Sequence, residues 1–211
     1  MGNYVNLKEK AYSIIKDKII NLEFSPGEYL EEKKLGDLLE ISRTPVREAL
    51  SRLENELWVT NMPRKGIFVT EVDENMVNAI FEVRIHFEPA VLELAFANLS
   101  SVKLQLFKSR FEEYESWNQA ERDKLDNDFH LYIFNSVDNV FVKNMLNTTF
   151  EHLVRIRKLS FDKKSKERIE ESNREHIETI NYILAGEKEK AVKAFRNHIE
   201  NSYKYYLGIL F

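Results

Sequence analysis

Ile41-Ser42-Arg43-Thr44-Pro45-Val46-Arg47-Glu48-Ala49-Leu50-Ser51-Arg52-Leu53 reads as a helix with two unlike faces. At ~100° per residue, Val46, Ala49, Leu50 and Leu53 share one apolar stripe, while Arg43, Thr44, Arg47 and Ser51 lie on the other side. Ser42 suits the N-cap, and Pro45 falls in the first turn, where a missing N–H costs little. One face therefore packs. The other presents arginines and hydroxyls, the donors that meet phosphates and guanine edges.

The flanks sharpen this. Leu7 to Asn21 carries Ala11, Ile14, Ile15 and Ile19 at a helical period, and Ser25-Pro26-Gly27 breaks it. Glu31 to Leu39 predicts a short helix with Leu35, Leu38 and Leu39 on its apolar side. Only a few residues separate it from the arginine helix, as in a helix-turn-helix. Downstream, Trp58-Val59-Thr60 and Ile67-Phe68-Val69 are β-prone, and Asn61-Met62-Pro63-Arg64-Lys65-Gly66 lies between them. That is a hairpin with a basic tip, the wing of a winged helix.

Residues 7–72 resemble the GntR winged helix-turn-helix of bacterial transcription regulators. The matching residues are Ser25-Pro26-Gly27, Leu30, Leu38-Leu39, Ser42 through Leu50, Arg52-Leu53 and Arg64-Lys65-Gly66-Ile67-Phe68-Val69. That family usually has glycine where Glu40 and Leu57 stand, two helix-end positions where glycine relieves a left-handed conformation. The resemblance implies operator DNA as partner, with Ser42, Arg43, Thr44, Arg47, Arg52, Arg64, Lys65 and Gly66 at the interface. Bulk charge lends little support: residues 1–72 hold eleven Lys and Arg against twelve Asp and Glu, a net of −1. What separates this helix from an ordinary solvated face is local: Arg43, Arg47, Arg52, Arg64 and Lys65 gather on two neighbouring elements.

The winged helix uses about a third of the 211 residues, leaving ~140 for a second domain, 73–211, large enough for its own core. The N-terminus lacks an apolar signal segment, and no apolar run approaches the ~20 residues of a membrane span. With no cysteine, disulfides and cysteine zinc sites are excluded. A cytoplasmic protein with no membrane partner is expected. Residues 73–211 contain one proline, Pro89, and two glycines, Gly186 and Gly208. Asp73 can cap a helix running to about Asn98, and further helices are expected at 101–118, 120–137, 139–159, 165–185 and 187–207. The breaks are Leu99-Ser100-Ser101, Val137-Asp138-Asn139, Ser160-Phe161-Asp162 and Ala185-Gly186. The fold class is mainly α: a winged helix-turn-helix followed by a six-helix antiparallel bundle.

Polar residues fall inside that bundle. On helix 120–137, Asp126 and His130 lie at i and i+4 within the stripe of Leu125, Phe129, Ile133, Phe134 and Val137. A carboxylate and an imidazole in a core call for either a mutual hydrogen bond or a metal. His176 sits among Ile169, Ile180, Ile183 and Leu184, and His198 among Ala191, Ala194, Phe195 and Tyr205. Gly186 turns the chain ten residues after His176 and twelve before His198, so an antiparallel hairpin brings the two imidazoles nearly level. One Asp and three His would hold a divalent transition metal and leave coordination positions open. Asp126 with Phe129-His130, Glu175-His176, Gly186 and His198-Ile199 resemble the FadR C-terminal domain found behind many GntR winged helices, with Thr179 where that family usually has an aliphatic residue. Metal-binding members ligate through matching positions, which implies ligand roles for Asp126, His130, His176 and His198 toward zinc, nickel or manganese.

Arg84 lies in the stripe of Ile80, Val83, Phe87 and Val91, and a buried arginine needs an anion. Glu88, one turn on, would serve; so would a bound carboxylate, gripped bidentately. The resembled family often has an arginine here near its effector pocket. His152, on a face with Phe141, Met145 and Ile156, is expected to line the core or that pocket, with Arg155 a second candidate; His86 is expected to be exposed. The expected function is a ligand-responsive repressor of transcription, not an enzyme, acting as a homodimer on operator DNA and sensing a small carboxylate at the metal. A metal-dependent hydrolase is the competing class, without an apparent general base beside the site. A structural metal in a protein-binding bundle is the third.

Overall fold

The computed structural model describes residues 7–160 and 165–211. They form two compact units. The first gathers the described residues up to Asp73 with Glu151–Leu159; the second gathers Glu74–Phe150 and the described residues from Ser160 to Phe211.

In the first unit the order is α1 (Leu7–Ile20), β1 (Tyr29–Leu30), α2 (Glu32–Leu39), α3 (Arg43–Asn55), β2 (Val59–Met62) and β3 (Gly66–Val69). The arginine helix buries Val46, Ala49, Leu50 and Leu53, as its periodicity requires. These pack with Ala11, Ile15 and Ile19 of α1, Leu35 and Leu39 of α2, and Trp58. Leu38, expected inward, is 56% exposed, because α2 turns Leu35 and Leu39 to the core instead. The wing is antiparallel, with Thr60 opposite Phe68. The unforeseen strand β1 pairs with the other edge of β3, giving the order β1-β3-β2. Two residues are too few to show a strand period.

Both positions where the resembled family has glycine are left-handed, Glu40 at φ 55° and Leu57 at φ 63°. Each follows a helix whose end is closed by a bond from the next residue, Ile41 N–H to Gly36 O at 3.0 Å and Trp58 N–H to Leu53 O at 2.9 Å. That closure demands a left-handed residue, and a side chain there costs about 1 kcal/mol.

The second unit holds α4 (Glu74–Ala95), α5 (Ser101–Glu112), α6 (Gln119–Asn135), the first part of α7 (Val140–Leu159), α8 (Lys166–Leu184) and α9 (Lys188–Leu210). Helix α5 stops at Glu112 rather than 118. A 3₁₀ turn, Tyr114–Ser116, follows, and a capping box starts α6, with Asn118 Oδ1 accepting from Glu121 N–H at 3.0 Å and Asn118 N–H donating to Glu121 Oε2 at 2.8 Å. The expected break at Ser160-Phe161-Asp162 lies, beyond Ser160, outside the described residues. Gly186 stands at φ 73° between α8 and α9, a left-handed conformation that favours glycine at the tight hairpin. The stripe of α4 differs from expectation at Phe87. Ile80, Arg84 and Val91 are buried as expected, together with Val77, Phe81, Glu88, Leu92 and Ala95, while Phe87 is 46% exposed. Val77, Phe81, Arg84, Glu88, Leu92 and Ala95 follow a 4-3-4-4-3 spacing that carries Glu88, not Phe87, into the core.

Residues 151–159 of α7 belong to the first unit. The His152 ring stacks on Trp58, centroids 3.8 Å apart and 13° between planes, and its Nε2 donates to the Glu56 carbonyl at 2.9 Å. Arg155 Nη2 donates to Thr70 O at 2.7 Å, and Lys16 pairs with Glu151 at 2.6 Å and Glu56 at 3.1 Å. The division of the chain thus differs from a single cut at 73, because the indole of Trp58 takes its cover from α7.

Two predictions follow from these local features. Leu57→Gly removes a left-handed side chain from an exposed position and is expected to raise the denaturant midpoint by the equivalent of about 1 kcal/mol; an unchanged or lower midpoint would refute the strain. Burial pushes the His152 imidazole from 6.5 down to about 4. The unfolded chain then takes up this proton before the folded one does. Stability should fall as pH drops from 6.5 towards 4, by roughly 3 kcal/mol in full for this group. His152→Phe keeps an aromatic ring over Trp58 and is expected to flatten that part of the profile; a profile as steep as the wild type's would assign the loss to other groups.

Candidate functional site

The outward side of α3 is built as its sequence implies: Ser42, Arg43, Thr44, Arg47 and Ser51 are exposed. Ser42 occupies the N-cap position of α3 with extended backbone and no capping bond from its side chain. Arg47 is held from α2 by Glu32, Nε to Oε1 at 3.0 Å and Nη2 to Oε2 at 2.7 Å. With 69% of its side chain accessible, this pair faces solvent, and a phosphate or base edge can compete for the guanidinium. Arg52 is engaged inside the unit, bonding Glu9 at 3.0 Å and Glu56 at 3.1 Å with its guanidinium 3.5 Å from the Tyr12 ring centroid. On the wing, Arg64 is left-handed at φ 65° and Lys65 is exposed beside it. Gly66 has φ 105°, and a Cβ there would come 2.6 Å from the Tyr29 ring, so its place in the motif has a steric cause.

In the second unit Asp126 and His130 project from one turn of α6, His176 from α8 and His198 from α9. One ligand atom from each lies within 4.8 Å of all the others. His130 Nε2 and His176 Nε2 are 3.4 Å apart, and Asp126 Oδ1 is 3.4 Å from His176 Nε2. Two donors each ~2.1 Å from one ion, spread tetrahedrally, stand roughly 3.4 Å apart, so the spacing fits a shared metal. His198 Nε2 is buried without a hydrogen-bond partner. The three imidazoles are at most 1% exposed, and Asp126 is half-buried. Phe111 stacks on His176 at 4.6 Å, Phe129 meets it edge-on at 5.4 Å, and Phe195 lies 5.0 Å from His130. One carboxylate and three imidazoles in an apolar shell suit a borderline divalent cation.

Two carboxylates behind the histidines were missed as parts of the site. Glu88 Oε2 is 2.8 Å from His130 Nδ1, and its Oε1 accepts from Arg84 Nε at 2.5 Å. Glu175 Oε2 is 2.8 Å from His198 Nδ1, while Arg168 donates to both Glu175 oxygens at 3.0 and 2.9 Å and Asn201 donates to Oε1 at 2.8 Å. Burial opposes the charge on both. The Arg84 charge and hydrogen bonds from His130 and Arg84 hold Glu88 at about 2, and hydrogen bonds from His198 and Arg168 hold Glu175 at about 2. Burial lowers His198, favouring the neutral ligand form. Of the residues expected around an effector, Arg84 thus has its anion in Glu88, within its own helix. His152 and Arg155 lie in the first unit, against Trp58 and Thr70.

A winged helix-turn-helix in one chain with a helical bundle defines a transcription regulator. Residues 7–69 match the bacterial regulatory proteins of the gntR family and residues 79–201 match the FCD domain. The chain belongs to the GntR-family regulators that carry an FCD domain. It is 28% identical over 195 residues to the Nta operon transcriptional regulator of Aminobacter aminovorans, covering 90% of each chain. Its fold is shared with E. coli McbR/YncC, at TM-score 0.79 and 19% identity, covering 98% of this chain and 100% of that one. The FCD domain of TM0439 is similar in its metal-free structure (25% identity, TM-score 0.57, 66% of this chain and 96% of that one). Its Zn²⁺-bound structure matches at 23% identity and TM-score 0.56, covering 66% of this chain and 97% of that one. Among the described residues no helix is long and apolar enough to cross a membrane.

Proposed function

We propose that this regulator is a ligand-responsive repressor: residues 7–72 bind operator DNA, and residues 73–211 hold a divalent transition metal at which a small organic acid is sensed. The observation that carries the reading is the buried convergence of Asp126, His130, His176 and His198 to within 4.8 Å. The Zn²⁺-bound FCD domain of TM0439 supports it. Four protein donors leave a six-coordinate ion two positions, which suit a carboxylate. With Arg84 paired to Glu88, the acid's hold on the protein comes through the metal, and Arg84 acts on it only through Glu88. On the DNA side, Arg43, Thr44, Arg47 and Ser42 read the major groove, and Arg64 and Lys65 meet phosphates. The protein acts in the cytoplasm as a homodimer, because helix-turn-helix proteins read paired half-sites. The acid shifts the population of DNA-competent dimers by preferring one arrangement of them.

Two experiments test this. Elemental analysis should find about one zinc, nickel or manganese ion per chain, and the double variant Asp126→Ala, His176→Ala should lose it while retaining its helical circular dichroism. Stoichiometric metal in that variant would mean that other residues bind it. On operator DNA, Arg47→Ala should cost about 1–3 kcal/mol of specific binding, and Arg64→Ala should lower the salt slope by about one. Wild-type affinity and slope in both variants would remove α3 and the wing from the interface.

A further inference from the structure

We propose that Glu88 and Glu175 are positioning residues for the metal: each holds the Nδ1 proton of one ligand histidine, so that His130 and His198 present Nε2 to the ion, and a buried arginine stands behind each carboxylate. The inference rests on the metal reading above and extends it to residues outside the ligand set.

A neutral imidazole has one protonated and one bare nitrogen, and only the bare one can ligate. His130 Nδ1 faces Glu88 Oε2 at 2.8 Å, and His198 Nδ1 faces Glu175 Oε2 at 2.8 Å. An ionised carboxylate only accepts hydrogen bonds, so both Nδ1 atoms carry the proton. The lone pairs then fall on Nε2. His130 Nε2 lies 3.4 Å from His176 Nε2, and His198 Nε2 is buried with no hydrogen bond. One ring nitrogen from each histidine belongs to the group that converges with Asp126.

The arrangement occurs twice on unrelated helices. On α4, Arg84 donates to Glu88, which crosses to His130 of α6; on α8, Arg168 donates to Glu175, which crosses to His198 of α9. Ion pairs that merely fasten helices would explain Arg84 with Glu88 and Arg168 with Glu175. They would not explain why each carboxylate spends its other bond on a ligand histidine. Fastening of α8 to α9 has its own bonds, from Asn201 to Glu175 at 2.8 Å and from Arg168 to Ser202 at 3.2 Å. Burying a carboxylate is costly, and the arginine behind it keeps it charged and aimed. Outer carboxylates of this kind orient the ring and raise its basicity, typically by 10–100-fold in metal affinity.

The test uses the full-length protein, zinc titrated against a chromophoric chelator, and ¹⁵N-histidine spectra of the metal-free form. In the wild type His130 and His198 should both be Nδ1–H tautomers. Glu175→Ala should weaken zinc binding roughly 10–100-fold and release His198 to a mixture of tautomers. Glu175→Gln, whose amide oxygen still accepts from Nδ1, should restore the tautomer and part of the affinity. Asn201→Ala, which removes one α8–α9 bond and leaves Arg168 and His198 on Glu175, should bind zinc as the wild type does. For the fully buried pair, Arg84→Met with Glu88→Gln avoids a lone buried charge and should also weaken zinc binding. Circular dichroism and melting of each metal-free variant check folding. Tight zinc binding by the wild type with affinities within twofold in the Glu175 variants, or an Nε2–H tautomer at either histidine, would overturn the positioning role alone. A wild type that binds no zinc, nickel or manganese would overturn the metal reading as well.

Discussion

Driving three imidazoles into a phenylalanine-lined interior removes their water, and apolar packing returns none of it. His130, His176 and His198 are almost wholly buried, and one ring nitrogen of each converges with the others and with Asp126. That desolvation sets requirements on the rest of the bundle. Helix α6 must give one turn to both Asp126 and His130, and the α8–α9 hairpin must turn at Gly186 so that two histidines arrive level. Glu88 and Glu175 take the outward nitrogens, and Arg84 and Arg168 keep those carboxylates ionised in turn. The buried charges form an ordered series, from arginine to carboxylate to imidazole, that ends at one point.

The first unit answers a different constraint. Its recognition helix must pack one face and leave the other polar, so its own stability comes from Val46, Ala49, Leu50 and Leu53 against α1 and Trp58. The polar face is also shaped internally. Glu32 aims Arg47, while Glu9, Glu56 and the Tyr12 ring hold Arg52. Charges that look equivalent on a helical wheel therefore differ in what they are free to meet.

Much of this was legible in the residues because it is local. The α3 stripe, the wing hairpin, the i, i+4 pair of Asp126 and His130, and the level histidines across Gly186 each depend on one helix, one strand period or one turn. The left-handed residues at Glu40 and Leu57 were legible through the resemblance, which usually has glycine there; the structure adds that a closing bond at each helix end sets φ whatever side chain is present. Errors arose where an amphipathic stripe admits two phases. Phe87 looked like core on hydrophobicity alone, but Phe81, Arg84 and Glu88 share the buried side of the helix and Phe87 is left exposed.

By itself the sequence determined most of the helices, the wing hairpin, the apolar face of α3 and the inward positions of Asp126, His130, His176 and His198, because period and turn chemistry act over a few residues. Only the tertiary structure decided which carboxylate stands behind which imidazole, and that His152 and Arg155 serve the winged-helix unit. His130 meets Glu88 across 42 residues and His152 meets Glu56 across 96. Contacts at such separation are set by how helices cross and which surfaces need cover, as Trp58 does. No local pattern records them.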